Sequence, residues 1–300
     1  MSQFFSPKEV ALALGVSESS LKRWVDRGLI RADKTGGGHR RLTLDAVLAY
    51  VRERGRDIVD PGMIGLPPET GVSRSREQGA HADFLAAVTS GDEVTAQRVI
   101  LDLYICGVSV ATICDSVITT AFHRIGELWR CGELEVYQER RACEICNRVV
   151  HELRRAVGAG PRTGPLAMGG TLDGDPYTLA ADMAEIVLRD AGWRASSLGH
   201  MLPFESLRNA IESDQPELMW LSVTSIRDTD QFIANLNGLF DTASSCGCAL
   251  VVGGQALTTD IRQCLRYTTC CDNFCHLEAF AKSIRPQRAN TTAKAAGSVP

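Results

Sequence analysis

The chain has 300 residues, 44% hydrophobic and 23% charged, with a formal net charge of -4. That composition supplies apolar surface for two or three globular domains and excludes disorder throughout. No apolar run reaches the roughly 20 residues that span a bilayer, and the opening MSQFFSPKEV lacks a secretory leader, so a cytoplasmic protein without membrane contact is expected.

In chain order, Ser6-Pro7-Lys8-Glu9 places a capping hydroxyl, a first-turn proline and a capping-box glutamate before an apolar run that Gly15 ends. A second helix begins at Ser17, with Leu21 and Val25 on one face and Lys22, Arg23 and Arg27 elsewhere, and stops at Gly28. Gly36-Gly37-Gly38 permits a tight hairpin, His39, Arg40 and Arg41 follow as cationic donors suited to phosphate oxygens, and a third helix is predicted over 44–54. Residues 1–56 hold 11 Lys+Arg against 6 Asp+Glu, so positive charge is concentrated at one end of an acidic chain.

Residues 4–55 resemble the winged helix-turn-helix domain of MerR-type DNA-binding regulators. The resemblance implies that the second helix enters the major groove of double-stranded DNA, with Ser19, Ser20, Lys22, Arg23 and Arg27 on its contact side. It also implies that His39, Arg40 and Arg41 grip phosphate from the wing. The bland alternative is an inert or protein-binding helical head with solvated arginines.

Residues 56–80, rich in Pro, Gly, Ser, Arg and Glu, read as a linker. Helical periodicity returns over 81–158, with breaks at Gly91, Gly107 and Gly132, and predicts a four-helix bundle. From 163 to 285 short apolar runs alternate with amphipathic helices. Strands are expected at 166–168, 194–198, 218–223, 249–252 and 268–271, and helices at 179–190, 204–213, 230–243, 259–265 and 276–284. This alternation predicts a doubly wound parallel, flavodoxin-like α/β domain, completing a multidomain α plus α/β chain whose crevice lies at the carboxyl ends of the strands. Residues 286–300 read as a disordered tail.

The 11 cysteines, odd in number and scattered, argue against a disulfide framework and predict mostly free thiols. Cys143 and Cys146 on a helix, Cys246 and Cys248, and Cys270, Cys271, Cys275 and His276 keep redox or metal roles open.

A helical bundle followed by this α/β pattern resembles corrinoid proteins, and behind a MerR-type head it resembles the light-responsive, cobalamin-binding repressors of carotenoid synthesis genes. That family carries Trp-x9-Glu-His in the bundle; this chain has Trp129, then Glu139-Arg140, placing a fixed cation where the family has an imidazole. The family's Asp-x-His-x-x-Gly, whose histidine binds cobalt, is matched by Asp175-Pro176-Tyr177-Thr178-Leu179-Ala180, so imidazole ligation there is lost. Ser222-Val223-Thr224 and Gly253-Gly254 match the remaining cradle motifs, the glycines implying close backbone approach to a nucleotide tail.

Three readings of the pocket stay open. Cobalamin binds with its own base or water below the cobalt; another tetrapyrrole, such as haem or a bilin, binds with Tyr177, His200, His123 or a cysteine as ligand; or the pocket is empty and receives a partner protein. Trp129 also has the plain reading of a bundle-core aromatic. The function expected is a non-enzymatic transcription regulator, a repressor, acting as a homo-oligomer (dimer or tetramer) whose body senses a ligand, light or redox state. A ligand-free adaptor and, more remotely, a corrinoid methyl-carrier subunit are the other classes.

Overall fold

In a computed structural model, residues 4–34, 36–71, 79–161 and 163–284 are described. The expected tail and the 72–78 part of the expected linker lie outside them. The head contains β1 (Phe4–Phe5), α1 (Pro7–Ala13), α2 (Glu18–Asp26), β2 (Asp33–Lys34), β3 (Arg40–Thr43) and α3 (Leu44–Arg54), with an antiparallel sheet of order β1-β3-β2. The capping box forms: Ser6 Oγ accepts from the Glu9 amide at 3.3 Å, and the Ser6 amide donates to the Glu9 carboxylate at 2.7 Å. Those bonds hold the Glu9 carboxyl below its usual pKa. Leu21 of α2 is fully buried with Val10, Leu42, Val47 and Leu48, so the apolar face of α2 is spent on the head's own core.

The stretch expected to be an unstructured linker is instead packed over its first part. Ile58 and Ile64 are buried, the Val59 amide donates to the Ala13 carbonyl at 2.7 Å, and the Gly71 amide donates to Asp102 at 2.7 Å. Proline and glycine at 61–71 set turns here, including a 3-10 turn at Pro61–Ile64, and the few apolar residues among them suffice to anchor the segment.

The helical layer comprises α4 (Ala80–Ser90), α5 (Glu93–Ile105), α6 (Val110–Ile113), a π-helical stretch Cys114–Thr119, α7 (Thr120–Arg130) and α8 (Val136–Val157). Gly91, Gly107 and Gly132 take left-handed backbone at the three turns, as their positions in the periodicity suggested. The π-helical stretch joins α6 to α7 without a break and was not legible in the sequence.

The last region alternates β4 (Leu166–Leu172), α9 (Leu179–Asp190), β5 (Arg194–Leu202), α10 (Phe204–Asp214), β6 (Leu218–Ser222), α11 (Thr229–Ser245), β7 (Ala249–Gly253), α12 (Thr259–Cys264), β8 (Thr269–Cys270) and α13 (Phe274–Ile284). All five strands are parallel, in the order β5-β4-β6-β7-β8. The chain therefore reverses direction across the sheet between β4 and β6, and the carboxyl ends of those strands are where open sheets of this kind hold their ligand crevice. One face packs Ala167, Leu218, Trp220 and Val251 beneath Ile186, Leu277 and Ala281 of α9 and α13, continuous with the helical layer; the other packs Met219, Leu221 and Leu250 against Leu236 and Leu239 of α11.

Head and body are joined through α3, which packs on α5 and α8. Arg52 donates to Asp190 at 3.1 Å and to the Val108 carbonyl at 2.9 Å, and its guanidinium stacks over the Tyr104 ring at 4.3 Å. Burial raises the Tyr104 pKa, and the adjacent Arg52 opposes that rise.

Candidate functional site

In the head, Ser19, Lys22, Arg23, Arg27, His39 and Arg41 are exposed, while Ser20 and Arg40 are half-buried. Ser17 caps α2 by accepting from the Ser20 amide at 3.2 Å, which presents the first turn of the helix outward. Lys22 pairs with Glu18 at 2.6 Å. Arg40 differs from the expectation: its Nε and Nη2 donate to Asp26 at 3.2 and 2.6 Å, tying the hairpin to the last turn of α2. Those two bonds fix the hairpin against α2, while Arg41 is the more exposed guanidinium of the pair. A cleft of about 330 Å³ between the start of α1 and this hairpin is lined by Lys8, Lys22, His39 and Arg41 among others. Its charge suits an anion.

In the body, Trp129 ends α7 half-exposed, and Glu139 in the first turn of α8 takes a hydrogen bond from the Cys143 thiol at 3.3 Å. Arg140 is exposed and lies 3.4 Å from the Glu139 carboxylate, so the cation expected in a pocket is solvated. Charges on α8 track those on α9 in the same order: His151 and Arg154 act on Asp182, and Arg154 donates to Glu185 at 3.1 Å. The 12 residues from Glu139 to His151 then carry the tip of α8 about 18 Å further along its axis. Trp129, Val136 and Tyr137 are all exposed.

At the carboxyl ends of β4 and β6, Asp175 is fully buried. Its carboxylate accepts from the Thr224 amide at 2.5 Å, the Ser225 amide at 3.2 Å and the Tyr177 amide at 3.2 Å, so it staples the two crevice loops together. Tyr177 is more than half exposed. His200, on the edge strand β5, and His123, on α7, are exposed, and among the described residues no group of three or more His, Cys, Asp or Glu could hold a metal ion. Gly253 and Gly254 serve the sheet itself: a Cβ on Gly254 would stand 2.2 Å from the Val223 carbonyl oxygen, so the close approach is between two loops of the chain. The loop that carries Asp175 thus has Tyr177 and no imidazole, with His200 near the carboxyl end of the neighbouring β5, while the helical layer offers an aromatic and a carboxylate in Trp129 and Glu139.

Burial pushes up the thiols of Cys114, Cys146 and Cys270, and raises Cys143, Cys248 and Cys271 to about 12. Such thiols are poor nucleophiles, which removes most of the expected redox candidates.

Four residues were missed by sequence reasoning. Asp190 receives Arg52; Glu185, with no exposure, accepts from Arg154, Arg189 and the Ser197 amide; Asp115 of the π-helical stretch accepts from the Phe274 and Cys275 amides at 2.9 and 2.8 Å, capping α13 from another element. Trp220, in the middle of β6, is the fourth. A tryptophan two residues before the Ser222 motif was the available signal.

Residues 4–55 match the helix-turn-helix domain family, and residues 80–154 match the B12 binding domain family. The chain is 27% identical over 273 residues to the HTH-type transcriptional repressor CarH of Myxococcus xanthus, covering 84% of this chain and 89% of that protein. It is 24% identical over 257 residues to the repressor CarA of the same organism, covering 82% and 85%. The monomethylamine corrinoid protein of Methanosarcina barkeri aligns with a TM-score of 0.56 at 13% identity, over 70% of this chain and 100% of that one, a likeness of fold. The chain has the build of a helix-turn-helix transcriptional regulator with a cobalamin-binding-type region, similar to the CarH and CarA repressors.

Proposed function

We propose that the protein is a DNA-binding repressor in which residues 1–55 form a winged helix-turn-helix head, 81–158 a four-helix bundle and 163–285 a Rossmann-like sensory domain. The observation that carries this reading is the placement of charge. Lys22, Arg23, Arg27 and Arg41 are exposed, while α3 is occupied by its contact with the body. The head therefore meets DNA with one side and the sensor with another. Lys22, Arg23 and Ser19 lie on α2 for the major groove, and Arg41 and His39 reach the phosphates, with Arg40 positioning the wing. Two or four heads on repeated half-sites supply the affinity that one small head lacks. Trp129 and Glu139 would cover a corrinoid or another tetrapyrrole from above, and the ligand would act by favouring one assembly over another.

Operator binding titrated against salt tests the DNA reading. Arg41→Ala is expected to weaken binding to all duplexes alike and to reduce the salt slope by about 1, while Arg40→Ala weakens binding without that change in slope. Unchanged affinity and slope in a Lys22→Ala, Arg41→Ala double variant would overturn it. A visible spectrum of the purified protein before and after addition of hydroxocobalamin or hemin tests the sensory reading; no binding of either ends it.

A further inference from the structure

The face of the sheet under α9 and α13 holds a feature that neither DNA binding nor the bundle tip explains. Alternate residues of β4 point to this face, so Ala167, Gly169 and Thr171 lie beside Leu218, Trp220 and Ser222 of β6, their cross-strand neighbours. A Cβ on Gly169 would stand 2.3 Å from the indole Cδ2 and 2.5 Å from Cγ of Trp220. The indole thus abuts the bare backbone of Gly169, at the place where the sheet reverses direction. It is 2% exposed, and both its Nε1 and the Oγ of Ser222 are buried without a hydrogen-bond partner among the described residues. Close-packed interiors pair such groups. The indole and the Ser222 hydroxyl, at successive positions of one strand face, thus form a buried pair of polar groups in which neither atom is used, the hydroxyl remaining as unused lining beside a ring that fills the space.

We propose that Trp220 is the specificity-determining residue of the crevice, a built-in occupant of a slot sized for a bicyclic heteroaromatic ring. Indole and benzimidazole share a fused six- and five-membered frame, so the side chain stands where a ligand's benzimidazole would lie, and Ser222 Oγ is the hydroxyl that such a ring nitrogen would meet. Together with Tyr177 in place of an imidazole, the plug means that this domain rejects a corrinoid inserting its benzimidazole tail into the sheet. It accepts only the macrocycle, with the tail absent or folded back onto its own metal. This rests on the proposed tetrapyrrole reading for the macrocycle, but the slot itself does not.

The test compares hydroxocobalamin, which carries the benzimidazole tail, with cobinamide, which lacks it, and uses free 5,6-dimethylbenzimidazole as a probe of the slot. Wild-type protein is expected to bind the two corrinoids within about threefold of each other, to keep the base of hydroxocobalamin on cobalt by its absorption spectrum, and not to bind the free benzimidazole. Trp220→Gly is expected to bind the free benzimidazole and to prefer hydroxocobalamin over cobinamide by at least about tenfold, while Trp220→Phe behaves as wild type. A wild-type preference for hydroxocobalamin of about tenfold with its base displaced from cobalt would overturn the proposal, and that arm needs no variant to fold. So would a Trp220→Gly protein of native circular dichroism that takes no benzimidazole. If neither protein binds a corrinoid but Trp220→Gly binds the benzimidazole, the slot stands and the tetrapyrrole reading falls.

Discussion

The head and the α/β crevice use the same kinds of residue to opposite ends. In the head, polar and charged side chains are satisfied locally and the surplus points outward: Ser6 with Glu9, Ser17 with Ser20 and Arg40 with Asp26 fix the frame, leaving Lys22, Arg23 and Arg41 at the surface. In the crevice the polar groups turn inward. Asp175 spends its whole carboxylate on three loop amides, and Ser222 and Trp220 keep buried polar atoms without partners. The difference teaches that a domain can keep the fold of a ligand site while its motif residues are redirected to holding that fold together, whereas a nucleic-acid surface advertises itself in exposed cationic charge.

Three substitutions sharpen that contrast. Asp175→Ala has the largest expected effect. It removes a buried acceptor of three amides, worth roughly 3 kcal/mol, and should appear as a lower urea midpoint with fast amide exchange at Thr224 and Ser225. DNA affinity of the folded protein should stay the same; a loss of DNA binding would show that crevice and head are not separable. Arg52→Ala comes next, at about 2 kcal/mol, since its ion pair with Asp190 is partly solvated and the cost of breaking a buried pair is discounted accordingly. Its signature is faster exchange in α3 and α5, with the exposed α2 face intact. Smallest is Ser6→Ala, about 1 kcal/mol for a lost cap. Its pH dependence is the sharper readout. Because Glu9 has a depressed pKa in the folded head, its contribution is fully present above the ordinary glutamate value of 4.5 and is lost as the pH falls through the lower folded value. Thermal melts of Glu9→Ala should therefore converge with the wild type at acid pH, whereas Ser6→Ala keeps the bond from the Ser6 amide to the Glu9 carboxylate and with it most of that pH dependence.

The head was legible because its signals are local. A capping box, two helix-ending glycines and a triple glycine act within a few residues, and the elements fall where those signals put them. The α/β order was legible for a similar reason, each strand being a short apolar run. Its strand lengths were not. Gly169-Gly170 reads as a break after 168, yet β4 continues to Leu172 because the neighbouring Trp220 and Gly199 require those positions to be bare. What β6 presses against β4 is a tertiary fact that no local window contains. The packed stretch at 57–71 was hidden in the same way: its few apolar residues carry no periodicity, and only Ala13 and Asp102, distant in sequence, show that it is held. Of the site, the basic residues could be read from charge alone. The roles of Arg40, Glu185 and Asp190 could not, since each depends on a partner brought by the fold.

Helix α9 starts just past the Asp175 staple and ends at Asp190, which holds Arg52 of the head. Twelve residues of α-helix make a strut of about 18 Å that barely compresses. One stiff helix thus spans the whole distance between the Asp175 loop and the Arg52–Asp190 ion pair that fastens α3.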